Sequence, residues 1–210
     1  MKKNCTEVVF ILDRSGSMCG LEKDTIGGFN SLINKQKKQD GEVLVSTVLF
    51  NDSSVVIHDR KPIDKVRLMT NKDYEVYGCT ALLDALGSSI RHIGNIHKYA
   101  RIEDVPEHTM FVIITDGMEN ASRYYSKERV KSMIEYEKEK YGWEFLFLAA
   151  NMDAIDTASQ YGIDKDHAVN YQCDSVGTRL NYEVLDEAIQ CICSGVPLSK
   201  SWKSKIEKRK

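Results

Sequence analysis

A doubly wound α/β domain, with a mostly parallel six-stranded sheet and helices on both faces, is what the sequence predicts. Three observations carry this. Short apolar runs such as Val8 to Leu12 and Met110 to Thr115 have the length and continuity of strands buried on both faces. Longer stretches between them repeat apolar residues at helical spacing, and strands separated by helices give a parallel sheet. One connection, Asn51-Asp52, is too short for a helical crossover, so it turns the chain into an antiparallel neighbour.

Taken in order, the first strand covers Glu7 to Leu12. Leu21, Ile26, Phe29, Leu32 and Ile33 then mark a helix over 21–36. Its Gly27-Gly28 pair costs about 1 kcal/mol per glycine relative to alanine, so the helix backbone is expected to pack closely on the sheet there. Val43 to Phe50 is the second strand and Val55 to His58 the third, antiparallel one. Thr80 opens a long helix through Leu82, Ala85, Leu86, Ile90, Ile93 and Ile96. Met110 to Thr115 is the fourth strand, and Ser126 caps a charged helix running to Lys140. Phe145 to Ala150 is the fifth strand and, past a further helix, His167 to Tyr171 is a weaker sixth. The last helix carries Val176, Leu180, Val184, Leu185, Ala188, Ile189 and Ile192 on one face, and Gly195 and Pro197 stop it. One domain over 1–198 follows, with 199–210 a basic tail expected to be disordered.

Composition narrows the function. The 210 residues carry 29 Lys plus Arg against 31 Asp plus Glu, which disfavours a surface built for nucleic acid. No apolar run approaches the roughly eighteen residues of a membrane span. The six cysteines are scattered without zinc-like spacing. Without an export signal they read as reduced thiols, and a cytoplasmic protein is expected.

The chemistry collects in three places. Asp13-Arg14-Ser15-Gly16-Ser17 follows the first strand, Thr80 begins the helix after the third, and Thr115-Asp116-Gly117 closes the fourth. In a doubly wound sheet the loops beyond the carboxyl ends of the strands meet where the order of connections reverses. Asp13, Ser15, Ser17, Thr80 and Asp116 would then share one crevice. Two carboxylates and three hydroxyls are hard oxygen donors, suited to magnesium, manganese or calcium. Two negative charges just balance a divalent ion, which stays electrophilic enough to take one more oxygen from outside. Locally, Ser15 and Ser17 could instead satisfy backbone donors at a helix start, and Asp116 could be an ordinary turn residue. Glu119, close to Asp116 in sequence, reads as a solvated loop charge, with contact to the rim of the site as the alternative. Cys19 and Cys79 flank the candidate ligands but read as packing residues.

These segments, Asp13-x-Ser15-x-Ser17, Thr80 in Gly-Cys-Thr-Ala, and Thr-Asp116-Gly, resemble the metal-ion-dependent adhesion site of von Willebrand factor A domains, in order and in strand context. The resemblance covers about residues 5–195. It implies strand order 3-2-1-4-5-6, direct contact of Ser15, Ser17 and Thr80 with the metal, and Asp13 and Asp116 acting through water. Thr-Asp-Gly-Met-Glu-Asn (115–120) and Ala-Asn-Met-Asp-Ala-Ile (150–155) make the chain look like the small stand-alone intracellular members of bacteria and phages. The function this implies is a protein-binding module in which a partner's Asp or Glu completes the Mg2+ sphere. A metal-dependent phosphohydrolase or phospho-acceptor domain using Asp13 as nucleophile competes with it. Against that stand Ser15 where a second carboxylate would be needed and the lack of a phosphate-cradling loop, so no catalysis is expected.

Overall fold

The computed structural model describes residues 1–209. Its elements are β1 (Lys2–Asp13), α1 (Glu22–Gln36), β2 (Glu42–Phe50), β3 (Ser54–Pro62), α2 (Leu82–Tyr99), β4 (Pro106–Thr115), α3 (Lys127–Tyr141), β5 (Glu144–Ala149), α4 (Ala154–Gln160), β6 (Ala168–Asn170), α5 (Ser175–Cys193) and a last short turn, α6 (Ser204–Glu207). The sheet order is β3-β2-β1-β4-β5-β6. The β2–β3 pair is antiparallel and every other pair is parallel.

β1 lies in the middle and is buried on both faces because its side chains alternate between two apolar layers. Val8, Phe10 and Leu12 meet the layer of α1 and α5. Val9 and Ile11 meet the layer of α2, α3 and α4. Ser126 caps α3 as its sequence position requires, accepting from the Arg129 N–H at 3.2 Å, and Gly142 ends that helix at φ 65°.

Two expectations need correction. Gly28 does not pack on the sheet: a Cβ there would lie 2.2 Å from the Tyr182 ring of α5, while one on Gly27 would meet nothing within 4 Å. Helix α1 therefore uses Gly28 to approach α5. Nor is the segment from 199 a solvated tail lying outside a domain that ends at 198. Trp202 and Ile206 join the same core layer as β1, and the Trp202 Nε1–H donates to Asp166 O at 2.8 Å. Lys203 Nζ donates to Lys165 O and Ala168 O, both at 2.8 Å. Two apolar residues among basic neighbours give too short a period to read as a buried face, and carbonyls beside β6 satisfy the charge.

Gly28→Ala is expected to lower stability by about 1 to 3 kcal/mol through overpacking. Gly27→Ala, in open space, is expected to raise it by about 0.5 to 1 kcal/mol. Urea denaturation of the two variants measures the contrast. A second expectation concerns pH. Arg209 places two guanidinium nitrogens on the Asp174 carboxylate at 2.7 Å and, with the Gly177 N–H, brings its pKa from 3.8 down to about 2. A carboxylate depressed by folding adds stability above its ordinary pKa and loses it as pH falls toward the folded value. Docking of residues 199–209, followed by hydrogen exchange, should hold down to about pH 4 and loosen below it. Asp174→Asn should shrink that dependence.

Candidate metal centre

β1 and β4 run side by side, with Leu12 opposite Ile114. β1 has β2 on one flank and β4 on the other, so the order of connections reverses between them and a crevice opens at their carboxyl ends. The loop leaving β1 is stitched to its surroundings by the Arg14 N–H on Phe50 O at 2.8 Å and the Gly16 N–H on Gly78 O at 3.0 Å. This brings 14–18 against the segment that precedes α2.

The five sequence candidates meet in this crevice. Thr80 Oγ1 donates to Ser15 Oγ at 3.0 Å, Ser15 Oγ lies 3.0 Å from Ser17 Oγ, and Ser17 Oγ donates to Asp116 Oδ1 at 2.5 Å. Asp13 joins from below, accepting the Ser15 N–H at 2.7 Å and the Thr115 hydroxyl at 2.5 Å. Asp13, Ser15, Thr80 and Asp116 are buried, while Ser17 opens to solvent. Ser15 stands at the start of the short turn Gly16–Met18 without its side chain capping it, and Asp116 directs its carboxylate to Ser17. The local capping and turn alternatives are thus not how these side chains are used.

Gly117 shapes the space. A Cβ on it would lie 2.7 Å from Thr80 Oγ1, 2.9 Å from Ser17 Oγ and 3.5 Å from Ser15 Oγ. The missing side chain leaves room bounded by all three hydroxyls. Burial pushes the Asp13 carboxyl above its ordinary pKa, and the charge of Asp116 adds to this. Hydrogen bonds from Thr115 and Ser15 pull the other way. The site therefore concentrates oxygen donors and negative charge in a place poorly screened by water. Among the described residues no three His, Cys, Asp or Glu side chains converge to hold a metal; the donors of this crevice are three hydroxyls and two carboxylates.

Several supporting residues escaped the sequence reading. Asn120 clamps Thr80 reciprocally: its Oδ1 accepts the Thr80 N–H at 2.9 Å, and its N–H donates to Thr80 O at 3.0 Å. Glu119 is not a solvated charge. It accepts from the N–H groups of Leu83, Ala121 and Ser122, tying the loop after β4 to the start of α2. Both residues lie in the 115–120 segment, whose polarity is visible in sequence although its partners are not. The buried Tyr74 hydroxyl donates to Asp13 O. Cys173 donates its thiol to Asp116 Oδ2 at 3.3 Å. Its pKa is pushed up to about 11 by burial first and then by Asp116, so it sits there as a protonated thiol. Nothing in the sequence links residues 116 and 173.

No sequence family profile matches the chain, and no curated protein sequence matches it. Solved structures do match. The von Willebrand factor domain of the type V pili tip protein Mfa5 from Porphyromonas gingivalis superimposes with a TM-score of 0.64 at 10% identity, covering 92% of this chain and 97% of that one. The fold is that of a von Willebrand factor A domain. A von Willebrand factor type A protein from Catenulispora acidiphila gives a TM-score of 0.56 at 13% identity over 88% of this chain. Proximal thread matrix protein 1 from the mussel byssus, in a structure with zinc in its MIDAS motif, gives 0.60 at 14% identity over 90%. The chain spans less than half the length of these two, 42% and 47%. In this A-domain fold the hydroxyl crevice lies at the reversal between β1 and β4.

Gly117→Ala is expected to destabilise the chain by about 1 to 3 kcal/mol, because its methyl lands among close-packed oxygens. The cost should be smaller in a Ser17→Ala background, where one of the two nearest oxygens is gone. Denaturation of the two single variants and the double variant measures this coupling.

Proposed function

We propose that this chain is a divalent-metal-dependent protein-binding module. Ser15, Ser17, Thr80, Asp13 and Asp116 hold one cation, with Mg2+ favoured over Mn2+ or Ca2+. A partner's Asp or Glu completes the cation's sphere. The observation that carries the reading is the space over Gly117, walled by three hydroxyls and closed at one side by Asp116. Hard oxygen donors of this kind suit a hard cation. Two carboxylates offset its charge, and the exposed Ser17 marks the side from which an outside oxygen reaches it. When bound, the cation would supply a Lewis-acidic point that accepts a carboxylate oxygen.

The protein's own groups do the positioning. Thr115 and the Ser15 N–H engage both Asp13 oxygens, and Asn120 fixes the backbone of Thr80. Asp13 is also buried beneath the hydroxyls, which weighs against its reaching a phosphoryl group as the nucleophile of a phosphohydrolase or phospho-acceptor reaction. The six cysteines are all unpaired, which supports a reducing, cytoplasmic setting for a small intracellular member of the fold.

At a hundredfold excess of Mg2+ over its dissociation constant, stability should rise by about 2.7 kcal/mol relative to chelator. Thr80→Ala should lose most of that gain. Thermal melts of wild type that coincide in magnesium and in chelator would sink the metal reading. Release of phosphate from a phosphate ester, dependent on Mg2+ and abolished in Asp13→Asn, would sink the binding-only reading.

A further inference from the structure

Beside the hydroxyl crevice lies a groove of about 750 Å3, walled by the β2–β3 turn, α2, the 121–125 segment and Arg129 of α3. Its walls are tied to the candidate metal centre through the backbone. Asp52 on its wall accepts the Cys79 N–H, next to Thr80, at 3.2 Å. Residues 121–125 belong to the same loop as Asp116 and Gly117.

What distinguishes the groove is its charge. Of the nine arginines in the chain, five (Arg60, Arg67, Arg101, Arg179 and Arg209) lie within salt-bridge distance of a carboxylate. The groove gathers three others, Arg91, Arg123 and Arg129, and among the described residues none of these pairs with an acidic side chain. Two of them are held over an aromatic face: Arg129 is 4.8 Å and Arg91 5.9 Å from the Tyr125 ring centre. The groove also contains two acids, both tied to backbone N–H groups. Asp84 accepts the N–H groups of Arg123, Tyr124 and Tyr125 at 2.8 to 2.9 Å, and Asp52 holds the Cys79 N–H. They fix the wall and leave three guanidinium groups facing outward.

The geometry points to this groove as a second seat for an acidic segment of the partner. Further Asp or Glu side chains of that segment lie on Arg91, Arg123 and Arg129, while one carboxylate reaches the crevice. This rests on the function proposed above and adds the chemical class of the partner. Guanidinium forks match carboxylates in two-point geometry, and stacking on Tyr125 holds two of them in place before binding.

The test uses the full chain and a fluorescein-labelled decaglutamate peptide, followed by anisotropy at low salt with Mg2+ or with chelator. Arg123→Ala/Arg129→Ala should weaken binding roughly tenfold, and added salt should weaken it in wild type. Arg101→Ala, at an arginine remote in sequence and paired with Asp104, should leave it unchanged. Arg123→Glu, one exposed change, serves as a second variant, and melting curves check that each variant is folded. Binding that responds to chelator and to Thr80→Ala but not to the groove variants overturns the groove and leaves the metal reading standing. Binding that responds to the groove variants but not to chelator supports the groove and removes the metal reading. Undetectable binding, an equal loss in Arg101→Ala, or tighter binding of a phosphoserine peptide than of decaglutamate overturns the inference.

Discussion

Across the split between β1 and β4, the Thr115 hydroxyl donates to Asp13 while its oxygen accepts the Gly117 N–H, joining two strand ends that are a hundred positions apart in the chain. Buried carboxylates are costly unless donors surround them. Asp13 is surrounded from its own loop by Ser15 and from β4 by Thr115, and Asp116 is met by Ser17 and Cys173. Remove the parallel pairing of β1 with β4 and Thr115 loses Asp13 while Ser17 loses Asp116. The crevice is therefore a property of the sheet order and not of any one loop.

The loop after β4 extends this dependence outward. Glu119 and Asp84 are acids whose oxygens are taken up by backbone N–H groups of residues 83 and 121–125. Each converts a local negative charge into a fixed loop path. Through Asn120 that path sets the height of Thr80, and through Tyr125 it sets the stance of two arginines. Hydroxyl crevice and arginine groove thus share one piece of backbone.

Much of this was legible in the sequence. The β1 run announces a strand buried on both faces because its apolar residues are consecutive, Ser126 announces a helix start, and the Asn51-Asp52 turn announces the antiparallel edge. The meeting of the five crevice residues was legible because each lies in a loop that follows a strand or precedes a helix, where the fold class alone brings them to one edge. What stayed hidden depends on partners remote in sequence. Gly28 answers to Tyr182, Glu119 to Leu83, and Cys173 to Asp116, and none of these pairs has a period that a local reading can detect. Trp202 and Ile206 were hidden for a different reason, because two apolar residues in a basic stretch look like solvent-facing noise until β6 supplies the carbonyls around them.

The placement of Trp202 and Ile206 also bears on how the molecule is made. They belong to the same core layer as Val8, Phe10 and Leu12 of β1 and rest on α5 and β6, so the layer that β1 begins is completed by residues near position 206. Until those are synthesised, that layer stays partly open, with apolar surface of α5 and β6 facing water. An exposed layer of this kind is the surface that chaperones hold. That layer is thus completed only after all six strands exist.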